Sequence, residues 1–184
     1  MSKAVMLSIR PKWVEKIARG EKTIEVRKTR PKMDTPFKCY IYCTLPKYPH
    51  EDFIATNYPR PQFYGGGKVI GEFTCDRIDE YDDDTIFSFR HEDYARWTDF
   101  DLDRACMHPE DFQNYANGKW LYGWHISDLQ IYDTPRDLDS FRRECVNNLR
   151  CESCAMYWNN NGTCGNDVLH LYRPPQSWCY VEEG

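Results

Sequence analysis

The 184-residue chain lacks any long hydrophobic run. Nothing in it approaches the roughly 18 to 20 consecutive apolar residues that a membrane-spanning helix needs, so no membrane partner is expected. No apolar segment of signal-peptide type follows Met1, and a soluble, cytoplasmic protein is expected. Internal repeats and low-complexity stretches are missing too, which excludes solenoid architectures. Nor is the chain basic overall: 24 Lys and Arg against 29 Asp and Glu give a net charge of -5. A protein that grips nucleic acid over its whole surface usually carries the opposite sign. Finally, Gly65-Gly66-Gly67 lacks the Lys-Ser/Thr that follows in a phosphate loop and reads as a turn.

What the chain has is aromatic and unevenly charged. Its 6 Trp, 13 Tyr and 9 Phe exclude a disordered polymer and suffice for a core. The length suits one domain with a small appendage, drawn here as residues 1–134 and a Cys-rich extension over 135–184. Residues 1–32 hold ten Lys and Arg against three Glu, so the rest of the chain is strongly acidic. That asymmetry suits a local basic surface for a phosphate-bearing ligand, a nucleotide or a short single-stranded segment. The acidic stretch 76–84 reads as a solvated turn region, and contact of the wider acidic region 76–103 with a basic partner is the other use weighed for it.

Periodicity gives the elements. Ala4–Arg10 alternates as a strand with Val5, Leu7 and Ile9 on one side. Pro11 opens a helix whose stripe is Trp13, Val14, Ile17 and Ala18, with Gly20 supplying the left-handed cap. Thr23–Thr29 reads as a second strand with Thr23, Glu25 and Arg27 in a row on one face and Lys22 at its mouth. Phe37–Cys43, Lys68–Cys75, Trp120–Ser127, Leu129–Tyr132 and Ser177–Val181 follow as strands, with a bulge marked by Gly71. Residues 45–67 read as an irregular loop. Helices are expected over Arg90–Trp97, Pro109–Tyr115 (closed by Gly118) and Asp137–Arg143. Strands that outnumber and interleave with helices predict an α+β class, a small mixed β-barrel flanked by short helices.

Gly20-Glu21-Lys22-Thr23-Ile24-Glu25-Val26-Arg27 has the form Gly-x-Lys-Thr-x-Glu-x-Arg, and it follows Leu7-Ser8-Ile9-Arg10-Pro11. Together with Gly71-Glu72-Phe73 and Tyr122-Gly123-Trp124-His125-Ile126-Ser127, this resembles the ASCH domain family of the PUA-like superfamily. Pro174-Pro175-Gln176-Ser177-Trp178-Cys179-Tyr180 is similar to a bacterial and phage subgroup with a Cys-rich extension. The resemblance implies a PUA-like barrel with a cleft for RNA or a nucleotide. It also implies a second possibility, because some small members are amidohydrolases that deacylate N4-acetylcytidine. In those, the motif lysine, a threonine three residues on and a distant glutamate carry the reaction. The lysine corresponds to Lys22. The threonine position is Glu25 here, and the glutamate falls near Ala105-Cys106, where no acid stands.

The candidate site is therefore Ser8, Arg10, Lys22, Thr23, Glu25, Arg27, Trp124 and His125, with Lys22 and Glu25 as the catalytic pair if there is turnover. Lys22 would anchor a phosphate or polarise a carbonyl. Glu25 would accept from the exocyclic amine of a base or act as a general base, and Arg27 would bind phosphate or orient its neighbours. Trp13, Tyr40, Tyr42, Trp124 and His125 are candidates for a stacking wall, with Trp13 the most core-like of them. Two readings of function follow: an RNA- or modified-nucleotide-binding module, or an amidohydrolase of acylated nucleosides.

Nine cysteines are many for a reducing compartment, and an odd number cannot all pair within the chain. Cys145, Cys151, Cys154 and Cys164 contain a Cys-x2-Cys knuckle and two further thiols. Four thiolates can close a tetrahedron around structural zinc, favoured over an iron–sulfur cluster, with Cys179 as a substitute ligand. Cys39, Cys43, Cys75 and Cys106 are expected as buried thiols.

Overall fold

The computed structural model describes residues 3–48, 54–55, 63–82, 99–145, 153–162 and 164–182. Strand β1 (Lys3–Ile9) is buried on both faces after Lys3, which is why it reads as a nearly continuous apolar run. Val5, Leu7 and Ile9 enter one core, while Ala4 and Met6 enter another on the reverse side. Helix α1 (Pro11–Ala18) starts at its proline and buries Val14 and Ile17. Gly20 takes φ +74 just beyond it, the left-handed turn only glycine adopts without cost.

Strand β2 (Ile24–Arg27) follows, then β3 (Phe37–Cys43), which pairs parallel to β1. A parallel pair requires a long crossover, and α1 with β2 is that crossover. Two-residue strands β4 (Ile54–Ala55) and β5 (Phe63–Tyr64) pair with each other inside the span expected to be loop. Strand β6 (Lys68–Cys75) pairs antiparallel with β3, and β7 (Ile78–Tyr81) follows. Helices α2 (Asp99–Ala105) and α3 (Pro109–Ala116) precede β8 (Leu121–His125) and β9 (Ser127–Arg136). A 3-10 turn at Leu138–Ser140, the short α4 (Ala155–Asn159), a second 3-10 turn at Asp167–Leu169 and β10 (Trp178–Glu182) complete the order.

The strands form an open five-stranded sheet, β10-β1-β3-β6-β9, and a three-stranded sheet, β2-β8-β7, beside the small β4-β5 pair. The expected barrel is thus not closed among the described residues. β2 pairs with β8 instead of joining the larger sheet, and among the described residues packing and side-chain hydrogen bonds, with no strand ladder, join the two sheets. Trp124 from β8 lies in the core shared with β1, β3 and α1, its ring edge-on to Phe37 at 5.7 Å. A second core packs Leu102, Ala105, Phe112 and Ala116 of α2 and α3 against Ile24, Val26 and Leu121. The third covers the reverse of the large sheet, where Leu138, Phe141 and Leu171 meet Tyr40, Tyr42 and Val181. Residues after 134 therefore contribute an edge strand and a covering layer to the main sheet.

Several local expectations change. Residues 78–81, expected within a solvated turn, form β7 because Ile78 packs against the first core and Tyr81 joins the second. The helix expected over Asp137–Arg143 is only the 3-10 turn; Phe141 leaves helical geometry to fill the third core. Helix α3 is closed by Asn117 at φ 48 as well as by Gly118, since asparagine tolerates the left-handed region. Gly71 sits where the registers of β6 shift against both neighbours, and an added Cβ there would lie 2.4 Å from the Gln130 carbonyl oxygen. Cys39, Cys43 and Cys75 are buried, and burial pushes the Cys75 thiol up to about 12. Cys106, expected to be buried, is half-exposed. The helix expected over 90–97 lies outside the described residues.

Candidate nucleic-acid interface

The crossover carries the motif to the seam between the two sheets. Lys22 lies between the end of α1 and the start of β2, and is only 2% exposed. Its Nζ donates to the Ala105 carbonyl at 2.6 Å, stands 3.4 Å from Glu25 Oε2, and lies 5.2 Å over the Trp13 ring. Burial holds the ammonium below the ordinary lysine range, and the Glu25 carboxylate opposes that shift. Glu25 Oε1 in turn contacts Arg27 Nη2 at 3.0 Å, so one carboxylate is clamped between two cations. All three side chains are buried.

Arg27 reaches across to the other sheet. Its Nη2 donates to the Ser8 carbonyl at 2.8 Å, and its Nη1 lies 3.3 Å from both the carbonyl and the hydroxyl of Ser177. Arg27 Nε is left buried without an acceptor among the described residues. The Ser8 hydroxyl donates to the Pro175 carbonyl at 2.7 Å. Ser8 and Arg27 thus fasten the Pro174–Ser177 segment against the motif, a contact that spans 150 or more residues of sequence.

Thr23 and His125 belong to a neighbouring polar cluster. Arg104 Nε donates to Thr23 Oγ1 at 3.0 Å, and Arg104 Nη2 lies 3.4 Å from His125 Nδ1. His125 Nε2 is 2.6 Å from Asp79 Oδ2, with Arg77 beside both. Arg77 Nε donates to His125 Nε2 at 3.2 Å, so the ring is held between Arg77 and Asp79 at Nε2 and Arg104 at Nδ1. The two clusters meet at Arg104-Ala105: the guanidinium serves Thr23 and His125, and the next carbonyl serves Lys22. That carbonyl stands in the stretch where the resemblance would put a glutamate.

Around the buried trio lie two aromatic rings, each with a lysine over it. Trp13, half-buried, carries Lys12 Nζ 4.4 Å from its ring centroid. Tyr115 of α3 is 37% exposed and has Lys28 Nζ 5.0 Å over its ring. Partial burial raises the Tyr115 phenol, the Arg27 charge opposes that, and Glu25 and Arg10 also act on it. Arg10 itself is exposed.

The stacking wall drawn from the sequence is not where these rings are. Tyr40 and Tyr42 face the third core, with Tyr40 packed on Phe141 at 4.8 Å. Trp124 is fully buried between Phe37 and Trp178 and presents no face to a ligand. His125 is buried in its ion cluster. Tyr115 and Arg104 were missed because nothing local distinguishes them; only the packing of α2 and α3 on β2 brings them in.

Of the four cysteines read as metal ligands, Cys145, Cys154 and Cys164 are half-exposed free thiols, and Cys151 lies outside the described residues. Among the described residues no three metal-binding side chains converge on one point. A hydrogen bond from Arg142 lowers the Cys164 thiol, while Arg142 Nε and Nη2 are buried without acceptors among the described residues. No helix among the described residues is long and apolar enough to cross a membrane.

The fold defines the class as a mixed α+β protein, and the ASCH domain family model matches residues 7–44. That span runs from β1 to the end of β3 and includes the whole motif. The solved ASCH structure from Zymomonas mobilis is similar over 98% of this chain and 88% of its own length, with a TM-score of 0.56 at 17% identity. A single-residue variant of that protein gives 0.57 at 17% identity, covering 99% of this chain and 92% of the other. At that identity the likeness establishes the shared fold. No curated protein matches the chain in sequence.

Proposed function

We propose that this protein binds RNA or a modified nucleotide at the mouth above Lys22, Glu25 and Arg27. The observation that carries the reading is a carboxylate clamped by two buried cations, rimmed by two aromatic rings and by Arg10, Lys12 and Lys28. Aromatic faces suit a base, basic rims suit phosphate, and a fixed carboxylate suits the amine edge of a base such as cytosine. Arg27 Nε adds a buried donor with no acceptor among the described residues. The ASCH domain, a family proposed to bind RNA, supports the same reading. It is tested by titrating labelled single-stranded RNA at several salt concentrations. Affinity should fall steeply with salt and should weaken in Lys28→Glu and Tyr115→Ala; salt-independent or absent binding refutes the reading.

The amidohydrolase reading rests on Lys22, whose burial favours the neutral amine that acid–base work requires. Its ammonium is, however, already engaged by the Ala105 carbonyl and Glu25, a geometry that makes Lys22 a clamp on Glu25 before it is a reagent. Incubation with N4-acetylcytidine decides: cytidine release by the wild type and not by Lys22→Ala establishes turnover, and no release leaves binding as the function.

We propose further that Cys145, Cys151, Cys154 and Cys164 hold structural zinc. Beside Cys164, Arg142 Nε and Nη2 are buried with no acceptor among the described residues, which suits a thiolate cluster whose sulfurs would accept from them. Metal analysis of the purified protein should give one zinc per chain, lost in Cys154→Ser; protein without metal, or metal retained by that variant, overturns the assignment.

A further inference from the structure

Beyond the mouth, the chain carries a second surface that continues it. A groove of about 480 Å³ is lined by Arg143, Glu144, Pro175, Gln176 and the half-buried rings of Trp178 and Tyr180. It runs along β10, the edge strand of the large sheet. Ser8 N–H donates to the Ser177 carbonyl, so with Met6 opposite Cys179 and Ala4 opposite Val181, Cys179 and Val181 exchange hydrogen bonds with β1. Trp178, Tyr180 and Glu182 therefore direct their main-chain groups outward. The Glu182 N–H confirms this by donating to the Arg142 carbonyl at 2.9 Å.

The basic continuation of the motif, Arg27-Lys28-Thr29-Arg30-Pro31-Lys32, is stapled along this groove at three successive points. Arg27 contacts Ser177, the Trp178 indole N–H donates to Thr29 Oγ1 at 2.9 Å, and the Lys32 N–H donates to the Tyr180 hydroxyl at 2.7 Å. Some cations here are spent: Lys3 pairs with Glu144, and Arg30 with Glu80. Lys28, Lys32 and Arg143 have no carboxylate partner among the described residues. They leave uncompensated positive charge on the segment that joins the motif to the groove and at the groove itself.

We infer that this groove is a second nucleotide subsite, so that the ligand is a single-stranded RNA of at least two nucleotides rather than a free nucleoside. The inference rests on the nucleotide-binding reading of the Lys22 mouth. Charge complementarity and continuity with that mouth select RNA over a peptide strand. Strand addition needs a run of outward main-chain groups, and here Arg142 already occupies the edge at Glu182, leaving only Trp178 and Tyr180.

The test is a ladder of oligocytidylates from one to eight nucleotides, bound to the full chain at low salt and followed by calorimetry. Affinity should rise by about 5- to 150-fold when the oligomer becomes long enough to place a base against Trp178 or Tyr180. Arg143→Glu should abolish that increment while leaving mononucleotide affinity unchanged. Because Arg143 is exposed, this variant should fold normally. Ultraviolet cross-linking of the wild type should map the longer oligomers, and not the mononucleotide, to Trp178 or Tyr180. A mononucleotide that binds as tightly as the octamer, or an increment intact in Arg143→Glu, overturns the subsite and leaves the mouth standing. Absence of binding at every length overturns both.

Discussion

Replacing Glu25 with glutamine removes the carboxylate that both Lys22 and Arg27 contact, with no change of shape. The two cations keep their carbonyl partners at Ala105, Ser8 and Ser177, but their charges remain buried. Breaking a buried ion pair by removing one partner costs about 3 to 5 kcal/mol, and a glutamine that still accepts hydrogen bonds belongs near the lower end, about 3 kcal/mol. For a chain of this length each kcal/mol lowers Tm by about 2 to 4 °C, so the fall should be about 6 to 12 °C. Differential scanning calorimetry and urea unfolding measure it. The control is Glu15→Gln, which breaks the Glu15–Arg19 pair on the exposed face of α1 and should change stability by less than about 1 kcal/mol. A double-mutant cycle with Lys22→Met adds a sharper criterion. Once Lys22 is apolar, losing Glu25 should cost less, because one of the stranded charges is gone. If Glu25→Gln is no worse than Glu15→Gln, the clamp is not the energetic centre of the seam and the argument for a fixed carboxylate fails.

Two further outcomes follow from the same geometry. The Lys22 pKa is lowered in the folded state, so between that value and 10.5 the unfolded chain binds more protons and stability rises with pH. The cost of burying the ammonium is fully present below the folded pKa and fades as pH climbs toward 10.5. The stability of the wild type relative to Lys22→Met should therefore increase over that window, and a flat or falling difference contradicts the burial argument. Gly71→Ala forces a Cβ to within 2.4 Å of the Gln130 main-chain oxygen, so β6 and β9 must part; chemical denaturation should show a loss of about 1 to 3 kcal/mol, and a neutral result would mean the sheet yields there.

Much of the frame was legible in the sequence because it depends on nearest-neighbour chemistry. Val5, Leu7 and Ile9, or Phe37, Cys39, Ile41 and Cys43, face one core because strand side chains alternate. Pro11 and Gly20 bracket α1 because each has a backbone preference of its own. The row Lys22, Glu25, Arg27 was likewise visible as spacing on one short segment.

Tertiary structure decided what that row can do. A spacing cannot say whether a lysine is solvated; α2 does, by delivering the Ala105 carbonyl to Nζ from 83 residues away. Nor can it say which rings face a ligand. Tyr40 and Trp124 look like platforms in the sequence, yet both faces of the large sheet are covered and they became core. Tyr115 stayed at the rim because the rest of α3 was needed against Val26 and Ile24. The tail, which composition marks only as Cys-rich, supplies the edge strand and holds the motif through Ser177 and Pro175. Local propensity sets which residues can share a face, and the closing of long loops sets which faces meet, a free-energy balance that no window of sequence contains.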